Sequence, residues 1–168
     1  RAVIPVHLYG FVAEVDKIAE VCDEFGLHMI QDAAPGIGTT IDGKSITNWG
    51  EATCFSFQGA KLLVSGEGGA FVTRNRELYE KALKISDSGR VPGTFWIDEL
   101  GKKMKMSNPT AALALGQVFG VERQINRKRQ IGTWYRESLG QNEAIRFQTE
   151  LPRTRSIHWL TSIQIVKE

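Results

Sequence analysis

The sequence is poor in cysteine and contains no long apolar run. Only two of its 168 residues are cysteines. Neither Cys22 nor Cys54 belongs to a C-x-x-C pair, which argues against a zinc or thioredoxin-type site, so no metal is expected. Both lie in apolar segments, where buried reduced thiols are typical of a cytoplasmic protein. No apolar stretch approaches the ~20 residues that span a bilayer, and the N-terminus lacks a signal-peptide pattern, so we expect no membrane partner.

An excess of charge of one sign is also missing. Lys and Arg number 21 and Asp and Glu number 19, which leaves a net charge of +2. A local basic cluster, Arg123, Arg127, Lys128 and Arg129, lies on a predicted long helix. It has no interleaved aromatic residues on which nucleic-acid bases would stack. We therefore interpret the cluster as a solvated helix face and expect no nucleic-acid partner.

Strands and helices alternate along the chain. The apolar run at 2–7 is typical of a strand buried on both faces of a parallel sheet. Helical spacing follows at 12–25, with Gly26 as its C-terminal stop. The remaining predicted elements are strands at 27–30, 52–57 and 70–73, a helix from the cap Asn75 to Ser86, and a long helix from the cap Ser107 to Leu139. This order predicts an α/β fold with a mostly parallel sheet flanked by helices.

Residues 38–45, "GTTIDGKS", match the phosphate-loop pattern G-x-x-x-x-G-K-S. A phosphate loop requires a helix that starts at its G-K-S, because the helix N-terminus holds the phosphates. Here Asn48 and Gly50 disfavour a helix, and a predicted strand follows. Asp42 and Gly43 are instead a strong two-residue hairpin signal. We therefore interpret the stretch as a surface hairpin with an exposed Lys44, and not as a nucleotide hydrolase site.

Two other residues indicate chemistry. Asp32 follows the strand at 27–30, at the carboxyl end where ligands bind in open α/β sheets. Lys61 follows the strand at 52–57. Taken singly, such an Asp is often a helix cap or ion-pair partner, and such a Lys is usually solvated. Together they suit pyridoxal phosphate, since a lysine amine forms a Schiff base with it and a carboxylate keeps its pyridine nitrogen protonated.

The chain resembles the DegT/DnrJ/EryC1/StrS family of pyridoxal phosphate-dependent sugar aminotransferases. The resemblance covers nearly the whole sequence, in the family's order and spacing. Its stretches are "IPVHLYG" (4–10), "MIQDAAPGIG" (29–38), "FSFQGAKLLVSGEGGAFVT" (55–73), "SDSGR" (86–90) and "ELGKKMKMSNPTAALALGQV" (99–118). The resemblance implies part of the large domain of a type I aminotransferase at 1–140, ending in a long helix, and the start of a small C-terminal domain at 141–168.

Residue roles are carried over by the same resemblance. Lys61 is implied to bond to the cofactor and then to act as acid and base in a proton shift. Asp32 is implied to pair with the pyridine nitrogen, and Ser56 to donate to the cofactor phosphate. Lys103 takes the place of a family residue that reaches the phosphate in the neighbouring subunit's site. Three further residues lie in segments that border the substrate: His7, Gln58 and Arg90.

Three positions depart from the family pattern. Pro35 replaces a residue that is commonly Gln or another polar group near the cofactor's 3-oxygen. Lys102 stands where an aromatic residue is usual, and Ser88 where a His often precedes G-R. These departures affect the expected contacts to the cofactor and the substrate. The lysine of the family pattern, Lys61, is retained.

The implied function is transfer of an amino group from an amino acid, glutamate in this interpretation, to a keto group on a nucleotide-linked deoxysugar. A homodimer with shared active sites is implied as well. The alternatives are an inactive or structural remnant of the family and, less favoured, a phosphate-loop hydrolase. Because the chain opens in one strand-like run and closes in another, we expect a fragment cut at both ends. Such a piece alone is expected to bind the cofactor weakly and to show no measurable turnover.

Overall fold

The computed structural model describes residues 1–166, which contain four α-helices and nine β-strands. The helices are α1 (Val15–Phe25), α2 (Arg76–Ser86), α3 (Asn108–Val118) and α4 (Val121–Leu139). The strands are β1 (Ala2–Val3), β2 (His28–Asp32), β3 (Thr40–Ile41), β4 (Lys44–Ser45), β5 (Ala52–Ser56), β6 (Gly69–Thr73), β7 (Ile145–Phe147), β8 (Thr154–Arg155) and β9 (Ile163–Ile165).

The main sheet has the strand order β1-β2-β5-β6. The first three strands are parallel, and β6 pairs antiparallel with β5, so the predicted α/β fold with a mostly parallel sheet is confirmed. The strand predicted at 2–7 is shorter than expected, because Pro5 lacks the N–H that a ladder requires. The chain stays beside β2 through a bridge from Val6 to Asp32. Ile4, at 63% exposure, contradicts the expected burial on both faces.

The hairpin predicted from Asp42 and Gly43 is confirmed. Strands β3 and β4 pair antiparallel around these two residues, with Ile41 opposite Lys44. Both turn residues have positive φ, 48° for Asp42 and 74° for Gly43, as the tightest hairpin turns require. A short 3-10 helix, Ile46–Asn48, follows in place of an α-helix. Since no α-helix N-terminus is available to hold phosphates, the phosphate-loop reading is wrong.

The predicted C-terminal stop of α1 and the predicted N-terminal cap of α2 are both present. α1 ends at Gly26, which adopts the left-handed conformation with φ 60° that is strained for residues with a side chain. α2 begins at Asn75, whose side chain accepts a hydrogen bond from the Leu78 N–H. α1 covers one face of the main sheet, and the core there consists of Val12, Val15, Cys22, Met29, Ala33, Ile41 and Ile46.

The long helix predicted from Ser107 to Leu139 is two helices. Ser107 caps α3 as expected, by accepting from the Thr110 N–H. The chain then leaves the helix at Gly120, where φ is −105° and ψ is 1°, and α4 begins. This break lets Ile125 of α4 pack with Leu62 and Ile157 in a second core cluster. The apolar seam formed by Ala114, Val118, Val121 and Ile125 continues across Gly120, so apolar spacing does not reveal the break.

The segment after α4 returns to the body of the fold. β8 pairs antiparallel with β3, and β7 pairs with β9. His158 lies so close to α4 that a Cβ on Gly132 would come within 2.7 Å of its Nδ1. The absence of a side chain at Gly132 therefore makes room for His158. The division of the chain at residue 140 stays a prediction. Within residues 1–166, none of the helices combines the length and apolarity that a membrane crossing needs.

Candidate active site

Asp32 ends β2 at the carboxyl edge of the main sheet. Its backbone is fixed on one side, where its N–H donates to the Pro5 carbonyl at 2.9 Å and its carbonyl accepts from the His7 N–H at 3.0 Å. On the other side it is in register with Cys54 of β5. The side-chain Oδ1 accepts from the Ala34 N–H at 3.0 Å. Among the described residues, Oδ2 accepts no hydrogen bond, so this half-buried carboxylate has one oxygen left for a ligand.

A buried polar network is built on His7 and on Gln31, the residue before Asp32. His7 is fully buried, and its Nδ1 accepts from the Ala13 N–H at 3.3 Å. Its Nε2 must then carry the proton, which it donates to Gln31 Oε1 at 2.9 Å. The amide nitrogen of Gln31 lies 2.6 Å from the Trp49 carbonyl and 2.9 Å from the Ile46 carbonyl. Because both ring nitrogens of His7 are engaged inside the chain, its place at the substrate border stays a prediction.

Burial lowers the pKa of the His7 imidazole, and the Gln31 hydrogen bond and the Asp32 charge oppose this only in part. Burial likewise lowers the pKa of His158, and the Glu150 carboxylate opposes that shift. In both cases the fold favours the neutral imidazole.

We expect the free energy of unfolding to fall as the pH drops below the ordinary histidine pKa of 6.5. In that range the unfolded imidazoles bind more protons than the folded ones, which favours unfolding. Above 6.5 both states are neutral and the effect disappears. Urea unfolding at about pH 8 and about pH 5.5 measures the difference. His7→Gln and His158→Gln should each reduce it, and an unchanged difference in both variants would contradict the assignment.

The end of β5 and the turn after it carry three predicted residues, Ser56, Gln58 and Lys61. Ser56 Oγ accepts from the Gln58 N–H at 3.3 Å, which leaves the Ser56 hydroxyl proton available to a ligand. Gln58 Oε1 accepts from the Ala60 N–H at 2.9 Å, and the Gln58 carbonyl accepts from the Lys61 N–H at 2.8 Å. Gln58 itself is exposed, and its predicted contact with substrate stays a prediction. These bonds hold Lys61 in a defined turn at the carboxyl edge of the sheet.

Lys61 lies against an aromatic residue that the sequence did not reveal. Its Nζ is 4.2 Å from the ring centroid of Trp159. The Trp159 indole N–H donates in turn to the Ala60 carbonyl at 2.7 Å. This hydrogen bond ties the segment after α4 to the turn from Ser56 to Lys61, called the lysine turn below. Residues 61 and 159 are about a hundred positions apart, and no local pattern links them. Only the fold brings them together.

Lys103 and Arg90 lie in a second group of loops. Lys103 is exposed and forms a backbone bridge with Asp87, and the Ser88 N–H donates to the Lys102 carbonyl at 3.2 Å. Arg90 is half-buried with its guanidinium 5.4 Å from the Phe95 ring centroid. Among the described contacts, neither Lys103 nor Arg90 meets Asp32, Ser56 or Lys61. Their assignments to phosphate and substrate stay predictions.

The donor set at the sheet edge fits pyridoxal phosphate. The cofactor needs an amine, a carboxylate for its ring nitrogen and hydrogen-bond donors for its phosphate. Asp32 and Ser56 provide the carboxylate and a hydroxyl donor at the carboxyl ends of two adjacent parallel strands, and Lys61 provides the amine five residues after Ser56. Pro35 is buried just after Asp32 and offers no side-chain donor.

Comparisons with known proteins agree with this chemistry. The model of the DegT/DnrJ/EryC1/StrS aminotransferase family matches residues 1–168. GDP-perosamine synthase of Vibrio cholerae is 35% identical over 169 residues, which is 100% of this chain and 46% of that protein. The putative pyridoxal phosphate-dependent aminotransferase EpsN of Bacillus subtilis is 32% identical over 98% of this chain and 43% of its own length.

Among solved structures, that of DesI in the presence of its TDP-sugar product superposes with a TM-score of 0.87 at 30% identity. The match covers 98% of this chain and 42% of DesI. The chain thus spans about half the length of the curated relatives it matches.

Proposed function

Because this chain belongs to the DegT/DnrJ/EryC1/StrS aminotransferase family, whose enzymes use pyridoxal phosphate, we propose that it carries the catalytic lysine and aspartate of a nucleotide-sugar aminotransferase. The observation that supports this most strongly is the register of Asp32 with Cys54 on adjacent parallel strands, because the Ser56-to-Lys61 turn begins two residues after Cys54. The amino donor is an amino acid, glutamate in our proposal, and the acceptor is a keto group on a nucleotide-linked deoxysugar.

Each residue has a distinct task in this proposal. When bound, pyridoxal phosphate supplies an electron sink for the carbon that bears the amino group. Lys61 would hold the cofactor through Nζ and, when free, would carry a proton between two substrate positions. The Asp32 carboxylate would hold a proton on the ring nitrogen. The Ser56 hydroxyl would donate a hydrogen bond to the phosphate.

We also propose that the complete protein acts as a cytoplasmic homodimer, with residues 141–168 at the start of a small domain. Lys103 supports this proposal, because it is exposed and lies outside the group formed by Asp32, Ser56 and Lys61. An ammonium in that position is available to the phosphate of a neighbouring subunit.

The half-reaction with glutamate tests the function. With the complete protein and pyridoxal phosphate, we expect glutamate to be converted to 2-oxoglutarate, with pyridoxamine phosphate formed in equal amount. Mass spectrometry measures both products. Lys44→Ala serves as a control and should react at the rate of the unmodified protein, since Lys44 is exposed on the hairpin. A folded complete protein that binds the cofactor but forms neither product would favour the inactive remnant instead.

A further inference from the structure

Trp159 is held in place at both its side chain and its backbone. The indole N–H donates to the Ala60 carbonyl at 2.7 Å, on the lysine turn. On the backbone side, the Ile157 N–H, two residues earlier, donates to the Gly10 carbonyl at 2.9 Å in the loop before α1. A tryptophan that is fixed at both ends presents its ring at one defined place in the fold.

The close approach of this segment to the loop before α1 depends on Gly10. The φ of Gly10 is 82°, in the left-handed region that residues with a side chain rarely adopt. A Cβ at this position would come within 2.7 Å of Ile157 Cγ1 and 2.9 Å of the Trp159 backbone nitrogen. The absence of a side chain at Gly10 therefore lets the segment that carries Trp159 pack against this loop.

The Lys61 ammonium lies over the ring that is fixed in this way. Its Nζ is 4.2 Å from the Trp159 ring centroid, well inside the ~6 Å at which a cation is attracted to the face of an aromatic ring. Within residues 1–166, the Lys61 side chain forms no ion pair and no hydrogen bond. The ring is thus the attractive partner that the described chain offers to this ammonium.

Other cations near Lys61 strengthen its preference for the ring. A cavity of about 450 Å³ lies between the lysine turn and the N-terminal half of α4, and none of its described lining residues is acidic. Lys61 shares this cavity with three cations of α4, Arg123, Arg127 and Lys128. Like charges that share a cavity repel one another, so the ammonium is more stable on the Trp159 ring than turned toward α4.

We propose that Trp159 is a positioning residue for Lys61, and that its ring holds the free ammonium at the carboxyl edge of the sheet whenever the lysine is not bonded to the cofactor. This role rests on the proposed function, in which Lys61 returns to the same place in every catalytic cycle. A lysine side chain without such a contact spreads over many rotamers, and ordering it again costs entropy. The ring removes part of that cost, and it acts through Lys61 without touching the substrate.

Chemical labelling of lysines, before pyridoxal phosphate is added, measures this contact without any catalysis. The complete protein is treated briefly with acetic anhydride, and peptide mass spectrometry gives the acetylation of Lys61, with Lys44 in the same sample as internal reference. We expect Trp159→Leu to raise the labelling of Lys61 by roughly two- to fivefold, which corresponds to the loss of one exposed contact between a cation and a ring. Trp159→Phe keeps a ring and should stay close to the unmodified protein.

Trp134→Leu is the matched control for the labelling. Trp134 also contacts a cation, since the Arg127 guanidinium lies 4.6 Å from its ring centroid, but that cation is not Lys61. The labelling of Lys61 should therefore be unchanged in this variant. Trp159→Met, which fills more of the space without a ring, gives the same test as Trp159→Leu should the leucine variant melt early.

The half-reaction with glutamate provides a second readout. In Trp159→Leu we expect kcat to fall by roughly two- to fivefold with KM unchanged, because the ring positions the proton carrier and does not bind glutamate. Trp159→Phe should restore most of the rate, although it lacks the N–H that donates to Ala60. Equal losses in the two variants would assign the effect to that hydrogen bond and overturn the role of the ring.

Failure of this role and failure of the proposed function are distinguishable. Unchanged labelling of Lys61 in Trp159→Leu, together with a normal borohydride adduct on Lys61, would overturn the role of Trp159 alone. A missing adduct in the unmodified protein would contradict the proposed function, and the role of Trp159 would fall with it. A raised labelling in Trp159→Leu, a normal adduct and rescue by Trp159→Phe are the results that we expect together.

Discussion

Replacing Lys61 with Ala is expected to abolish covalent attachment of pyridoxal phosphate. The amine is the group that forms the bond, and the turn from Ser56 to Lys61 presents it at the sheet edge. Turnover in the half-reaction should fall by roughly 10²–10⁴-fold, because the proton carrier is lost as well. Borohydride reduction followed by peptide mass mapping measures the attachment directly. In the unmodified protein the adduct should be on Lys61.

The change should leave the fold intact. In the structure the Lys61 ammonium has one described partner, the Trp159 ring, and a contact of this kind contributes about 0.5–1 kcal/mol. A thermal melt of Lys61→Ala should therefore stay close to that of the unmodified protein. Lys44→Ala and Lys103→Ala should both retain the adduct on Lys61. A full-strength adduct in Lys61→Ala, or one that maps to Lys44 or Lys103, would disprove the assignment.

Asp32→Asn is expected to slow the half-reaction by roughly 10²–10³-fold, as the loss of one preorganised electrostatic contact does in other enzymes. The neutral amide cannot hold a proton on the pyridine nitrogen as a carboxylate does. Its oxygen can still accept from the Ala34 N–H, so the turn is preserved. The adduct on Lys61 should still form, because the lysine is unchanged. Stopped-flow measurement of the glutamate reaction gives the rate.

Asp42→Asn is the matched control. Asp42 is exposed in the hairpin turn, where asparagine also tolerates its positive φ. The substitution removes a surface ion pair with Arg153, of 3.3 Å, which is worth little in stability. Its rate should equal that of the unmodified protein. Equal rates in Asp32→Asn and Asp42→Asn would refute a role for Asp32 in holding the ring nitrogen.

The basic cluster illustrates where sequence reasoning reached its limit. Arg123, Arg127, Lys128 and Arg129 look equivalent in the sequence. Their partners are residues far along the chain: Glu150 pairs with Arg129, while the lysine turn faces the other three. Helical spacing indicates that two side chains share a face, but it does not identify what lies opposite that face.

His7 is a second residue whose partners could not be identified from the sequence. The resemblance places it at the substrate border, and no local pattern pairs it with Gln31. The parallel pairing of the first segment with β2 brings the imidazole to Gln31, and both ring nitrogens find partners inside the chain. A histidine in such a network supports its neighbour and stays neutral.

The sequence by itself determined the alternation of strands and helices, the hairpin at Asp42 and Gly43, the caps of α1, α2 and α3, and the family. These depend on local conformational preference, on apolar period and on ordered motifs, all of which are written along the chain. The tertiary structure alone decided that Trp159 lies on Lys61, that the long helix breaks at Gly120, and that three cations of α4 face a cavity. These depend on contacts between residues far apart in sequence, and no local pattern encodes such a contact.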